Sequence, residues 1–240
     1  MNPAAWPKLI PPLTPDQDAI SNDFMRYWHE VLPKRYGVVE TFNHGYPVTH
    51  APLGFSRTLE IGAGLGTHLE YEHLTPDQER EYVALDLRPN MAQKLQERFP
   101  RVRTLVADCQ ERLGYEDGHF DRILAIHVLE HLPNLPAAVC ELRRLCDQKR
   151  GVLSVVIPCE GGLAYSLARR ISAQRYFEKR YKQPYRWFIE REHINRPAEI
   201  FEELDREFVC VQKTWFPLRV PLVNLNLCIG MTLRPRPRSV

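Results

Sequence analysis

Carboxylate and imidazole side chains recur in this chain wherever a short apolar run ends. Glu60 precedes three glycines at alternate positions, Gly62, Gly64 and Gly66, in "LEIGAGLGTHLEY" (59–71). Asp86 closes "EYVALD" (81–86), and Asp108, followed by Cys109, closes "VRTLVAD" (102–108). The run "FDRILAIHV" (120–128) leads into "HVLEH" (127–131), with His127, Glu130 and His131. Glycines let a backbone approach a ligand closely. One carboxylate accepts from both hydroxyls of a ribose diol, and another can accept from an amino group. His and Glu side chains can move a proton at neutral pH.

The spacing narrows the ligand. A dinucleotide turn, G-x-G-x-x-G, needs glycine at position 67, which is Thr67. A phosphate loop needs lysine after its last glycine, where Thr67 and His68 stand. The pattern is E-x-G-x-G-x-G, which argues against a pyrophosphate. A helix starting at "THLEYEHL" would offer its N-terminus to a negative group such as a carboxylate.

Five short apolar runs must position these groups: 57–61, 81–86, 102–108, 120–128 and 151–158. Helical patterns fall between them at 88–99 and 135–146. Strands alternating with helices predict an α/β fold, a doubly wound parallel sheet buried on both faces. In such sheets ligands bind beyond the carboxyl ends of the strands. Residues 160–195 form an insertion, 196–205 a helix, and "EFVCVQKTWF" and "LVNLNLCIGMTL" two final strands in a hairpin-like pair. Upstream, residues 1–15 are Pro-rich and extended. A helix is predicted from Pro15 to about Val39, with Phe24, Tyr27, Trp28, Val31 and Leu32 at helical spacing. Residues 40–56 read as a loop, and the tail "RPRPRSV" as solvated.

The 240 residues are 44% hydrophobic, enough for a sizeable core, and their net charge of +2 argues against broad wrapping of nucleic acid. None of the six cysteines forms C-x-x-C, so a zinc ribbon is unsupported and reduced core thiols in a cytoplasmic protein are expected. No metal-ligand set is visible. The N-terminus lacks a signal-peptide core, and no stretch reaches the roughly 18 apolar residues of a membrane span.

The stretches "LEIGAGLGTHL", "YVALDLRPNMAQKL", "LVADCQERL", "FDRILAIHVLEHLPN" and "GVLSVVIP" resemble class I S-adenosylmethionine-dependent methyltransferases, in the branch that methylates small molecules. The resemblance covers about residues 57–158 and the final two strands. It implies a mostly parallel, Rossmann-like sheet of seven strands with an antiparallel last strand, and S-adenosylmethionine as cofactor. Gly62, Gly64 and Gly66 would pass under its methionine portion and Glu60 would lie near its ammonium. Asp86 would hold the ribose, Leu87 pack on adenine, and Asp108 with the Cys109 backbone meet the adenine edge. The His127 backbone would meet the ammonium. Candidate general bases are His127, Glu130, His131 and, from the insertion, His193; "LEHL" serves equally to pack the following loop. The expected organisation is an N-terminal helical or cap segment, 1–56, and a methyltransferase domain, 57–240, with a helical cap insertion at 160–195.

Cys159, after a proline, resembles the nucleophile of cytosine C5 methyltransferases, but the accompanying signatures are missing. No Asn/Asp-Pro-Pro-aromatic motif follows the fourth strand, so base amino-methylation is not expected. From Arg169 to Arg191 the insertion holds eight Lys/Arg against Glu178 and Glu190. It reads as a solvated cap, as a pocket wall for an anionic acceptor, or as a peripheral membrane or RNA contact through 163–191. Gly161 and Gly162 offer a hinge. The favoured reading is methyl transfer to a small, anionic or glycosyl/lipid-like acceptor, at oxygen before nitrogen or carbon. DNA is not an expected partner and RNA is disfavoured. The alternatives are an RNA or protein methyltransferase, or a non-catalytic cofactor-binding partner or sensor.

Overall fold

A computed structural model describes residues 5–30 and 37–237. All five expected parallel strands form: β1 Thr58–Ile61, β2 Tyr82–Asp86, β3 Arg103–Val106, β4 Arg122–Ile126 and β5 Val152–Pro158. In β1, β2, β4 and β5 every residue is buried, as near-continuous apolar runs require when helices cover both faces. Helices α3 Pro76–Arg80, α4 Pro89–Arg98, α5 Leu135–Leu145 and α9 Pro197–Glu207 each carry proline in the first turn, where the missing N–H costs nothing. Strands β6 Phe208–Phe216 and β7 Cys228–Pro235 complete a seven-stranded sheet in the order β3-β2-β1-β4-β5-β7-β6. Only β7 runs against its neighbours. The strand order reverses between β1 and β4, which places the ligand crevice there, beyond their carboxyl ends.

Several local expectations change. The predicted loop at 40–56 is largely helix α2, Gly37–Thr49, despite Pro47 and Gly45. Tertiary contact overrides propensity: Tyr46 lies on Gly230 of β7, where a Cβ would come within 2.6 Å of its ring, and its hydroxyl meets Thr232 Oγ1 at 3.0 Å. "THLEYEHL" gives only a 3₁₀ turn, Thr67–Glu70, because Glu72 is drawn to Arg122 and His68 instead. The last strand begins at Cys228, and 223–225 form a further 3₁₀ turn. Helix α1 covers Pro15–Glu30; Val31 and Leu32, like tail residues 238–240, lie outside the described residues.

The cap is α6 Leu163–Arg169, a π-helical turn Arg170–Gln174, α7 Arg175–Tyr181 and α8 Arg186–Glu192. It has its own small core with α1. The Phe24 ring sits 5.0 Å from those of Phe177 and Phe188. Asp23 of α1 takes Arg180 and Tyr181, whose hydrogen bonds hold its carboxyl at about 2. Leu163 and Leu167 of α6, with Ile171 of the π-helical turn, are exposed. Helix α1 thus belongs to the cap, while α2 packs on the sheet.

Candidate active site

The glycine turn and the end of β2 are one unit. Gly62 has φ +64°, and a Cβ there would lie 2.4 Å from Val128 Cγ2. Gly64 has φ +56° and faces open space, so the turn presents bare backbone outward. The Gly64 N–H donates to Asp86 Oδ2 at 2.9 Å. Asp86 is nearly buried and also accepts from the Arg88 N–H and guanidinium at 2.9–3.3 Å. Leu87 beside it is 62% exposed. Gly66, φ +76°, opens the 3₁₀ turn beneath. On the next strand, Asp108 accepts from the Gln110 N–H and side-chain amide at 2.8 and 2.9 Å. Cys109 is buried, and burial pushes its thiol up to about 12.

Glu60 is held inside the sheet. Its carboxyl is enclosed and accepts the Tyr82 hydroxyl at 2.7 Å. Burial pushes it up to about 8, so it is neutral at pH 7 and bonded internally rather than offered to an ammonium. By strand alternation Glu60 shares a face with Thr58, and its charged neighbours are Glu72, Arg122 and Asp86.

A second cluster follows β4. His127 has φ +53°, a strained conformation for a non-glycine residue, and its N–H donates to Val156 O at 2.8 Å. Burial opposes a charge on its ring, but the Cys228 sulfur and the Glu130 carboxylate outweigh that and hold the imidazolium. Nδ1 donates to Glu130 Oε1 at 3.1 Å. Glu130 is 1% exposed. Burial would raise its carboxyl, yet the hydrogen bond from His127 holds it down at about 2. Glu130 Oε2 has no hydrogen-bond partner among the described residues. Burial pushes His131 down to about 4. Its Nδ1 donates to the Glu192 carbonyl at 2.6 Å, leaving a lone pair on Nε2. His193 Nδ1 lies 2.8 Å from Glu160 Oε2, and Glu160 also takes Arg169 at 2.5 Å. The His131 and His193 rings meet edge to face at 5.1 Å. Asn195 pins the segment, its N–H on Glu130 O and its amide on Leu129 O and Leu132 O. All four candidate bases therefore come together, although His193 lies far along the chain.

Residues 59–154 match the protein family described as a methyltransferase domain. Over that span the chain carries an S-adenosylmethionine-dependent methyltransferase domain. Its fold is similar to the N-methyltransferase NodS from Bradyrhizobium japonicum in complex with S-adenosyl-L-homocysteine, at 16% identity and TM-score 0.59, covering 91% of this chain and 99% of that one. It is similar also to a TehB-like methyltransferase from Corynebacterium glutamicum, at 17% identity and TM-score 0.60, covering 91% and 100%. A third is the putative methyltransferase in complex with the Haloferax volcanii Trm112 activator, at 13% identity and TM-score 0.61, covering 88% and 97%. No protein of curated function matches the chain in sequence.

The residues present fit the cofactor of this methyltransferase. A bare backbone turn at Gly64, a nearly buried carboxylate at Asp86 and an exposed apolar platform at Leu87 lie side by side. Arg88 covers that carboxylate, but its side chain is 43% exposed, so displacing it costs little. Cys159 is fully buried and its thiol is pushed up to about 12 by burial, which removes it as a nucleophile. Sequence reasoning missed Glu160 and Asn195, and had Arg169 only as one of a basic run. Glu160 carried a usable signal, since it stands just beyond β5, on the edge that already held Asp86 and Asp108.

Proposed function

We propose that this methyltransferase transfers a methyl group to a hydroxyl oxygen of a small anionic acceptor with a glycosyl or lipid-like part. The supporting observation is a cavity of about 360 Å³ beneath the cap, lined by Glu160, Arg169, Tyr185, Arg186, His193 and Arg196. Arg169 is paired with Glu160 and Arg186 with Glu190, so Arg196 is the guanidinium that suits an anion here, and His193 connects this cavity to the cluster after β4. The exposed Leu163, Leu167 and Ile171, with Leu222 and Leu225 near them, suit an amphiphilic acceptor or a lipid surface that presents it.

S-adenosylmethionine supplies an electrophilic methyl group on its sulfonium. The chain supplies the rest. Gly62, Gly64, Gly66 and the His127 backbone hold the methionine end, while Asp86, Leu87, Asp108 and Cys109 hold the ribose and adenine. The cap excludes water, and Arg196 orients the acceptor. The acceptor hydroxyl loses its proton at the Glu130–His131–His193 cluster. His127, already an imidazolium, holds Glu130 in place and is not the base.

Methyl-labelled cofactor with a cell extract tests this reading. Label should enter a small, anionic, amphiphilic fraction that survives ribonuclease and protease. Label lost to ribonuclease makes the acceptor RNA, and label lost to protease makes it protein. Cofactor binding without turnover in any extract makes the chain a sensor module.

A further inference from the structure

Glu130, His131 and the neutral form of His193 turn three electron pairs toward one another. The His131 Nδ1 proton is used on the Glu192 carbonyl, since a carbonyl only accepts. The His193 Nδ1 proton is used on the Glu160 carboxylate. In both rings Nε2 is left as an acceptor. Glu130 gives Oε1 to His127 and keeps Oε2 without a partner, on a side chain that is almost fully buried. One ligating atom from each of the three residues lies within 4.8 Å of the others. Of these, Glu130 Oε2 is the buried one, and a buried carboxylate oxygen without a partner is costly unless something positive reaches it, while the two imidazoles beside it are partly exposed.

We propose that these three residues bind one divalent first-row transition cation of the Zn²⁺ type. The donor set is two imidazoles and one carboxylate, which suits Zn²⁺, Co²⁺ or Fe²⁺ over Mg²⁺ or Ca²⁺ and leaves coordination positions open. Bonds of about 2.0–2.2 Å keep two ligands on one cation within about 4.4 Å of each other. In a tetrahedral site the same bonds set ligand atoms about 3.3–3.6 Å apart, so the widest pair has to close by about 1.3 Å, within reach of side-chain rotation. Each ligand already has the support that metal sites use. The Glu192 carbonyl sets the His131 tautomer, the Glu160 carboxylate sets that of His193, and His127 fixes Glu130. Arg169 in turn holds Glu160. The spacing hid the set from the sequence, because two ligands are adjacent at 130 and 131 and the third arrives from the cap at 193.

Where the site also serves methyl transfer, which rests on the reading proposed above, the open positions would take the acceptor oxygen and ease loss of its proton. Binding itself does not depend on that reading, so it is tested without turnover. Protein freed of metal by chelation is titrated with Co²⁺ followed by its visible spectrum, and with Zn²⁺ by calorimetry. One cation per chain is expected, with no thiolate charge-transfer band. Glu130→Gln and His193→Ala should each weaken binding by 100-fold or more. Glu160→Gln, which keeps all three ligands, should weaken it by about 10–100-fold. Thermal melts of the metal-free variants identify any that fail to fold, and Glu160→Gln then carries the test. Absence of binding at millimolar Co²⁺ and Zn²⁺ overturns the proposal. So does affinity that is unchanged across folded variants, or a spectrum showing cysteine ligands.

Discussion

Two buried networks of histidine and carboxylate flank the strand pair β1–β4, and they are built differently. Below the glycine turn, Glu72 meets Arg122 at 2.6 Å and His68 at 2.7 Å, while Glu60 is bonded to Tyr82. Arg122 is fully buried, donates to Pro47 O of α2 and lies against the Phe55 ring. This network ties α2 and the loops to the sheet. Beyond β4, Glu130 is answered only by imidazoles. A guanidinium cannot lose its proton, whereas an imidazole can. In the first network the Arg122 cation is fixed, as a structural tie requires, although Glu60 and His68 beside it can still titrate. The second can change protonation or exchange a proton for another positive group, as a working site must.

The largest effect should come from breaking the Arg122 network. Arg122→Met leaves Glu72 buried and without its cation. A broken buried pair typically costs about 3–5 kcal/mol, so urea unfolding should show a loss of that order, with cofactor affinity in the surviving folded fraction nearly unchanged. A loss under about 1 kcal/mol would mean that the network is not the tie described.

Next in size is Asp86→Ala, at the edge proposed to hold the ribose. Hydrogen bonds to a charged group contribute about 1.5–3 kcal/mol, so calorimetry should show cofactor affinity falling by roughly 10–150-fold. Unchanged affinity would move the ribose elsewhere.

These two variants also mark what the sequence made legible. Asp86 was readable because strand-end position and residue type act locally, and β2, the turn and α4 are set by short-range pattern. Arg122 was not, since it starts an apolar strand and its partners, Glu72, Pro47 and Phe55, meet only in the folded sheet. Helix α2 was missed for a related reason: Tyr46 packed on Gly230 outweighs the turn-forming Gly45 and Pro47. The cluster after β4 was half legible. "HVLEH" stood out, but the support of His193 by Glu160 and Arg169 depends on how the cap folds back, which no local periodicity encodes.

Glu60 sharpens the comparison through pH. Burial raises its carboxyl from 4.5 to about 8 in the fold. Between those values the folded chain keeps a proton that the unfolded chain releases. This contribution to stability is full below about pH 4.5 and is lost as pH rises through about 8. Its slope is at most about 1.4 kcal/mol per pH unit. Glu72 has the opposite sign: burial would raise it, but His68 and Arg122 hold it at about 2, so its contribution is present above 4.5 and lost as pH falls through about 2. Glu60→Gln should flatten the unfolding free energy between pH 5 and 8 and leave the acid limb intact. A slope that persists in the variant would assign it to another group.

The smallest effect on stability should come from the exchangeable network. Glu130→Gln in metal-free protein removes the carboxylate that holds His127 charged. The imidazole can then release its proton and become a neutral partner for the new amide, an escape that Arg122 lacks. The cost should be about 1 kcal/mol, that of a neutral buried hydrogen bond, and NMR should show the His127 ring titrating below its position in the parent protein. A loss as large as that of Arg122→Met, with His127 still protonated, would make the two networks alike and leave the cluster after β4 a second structural tie.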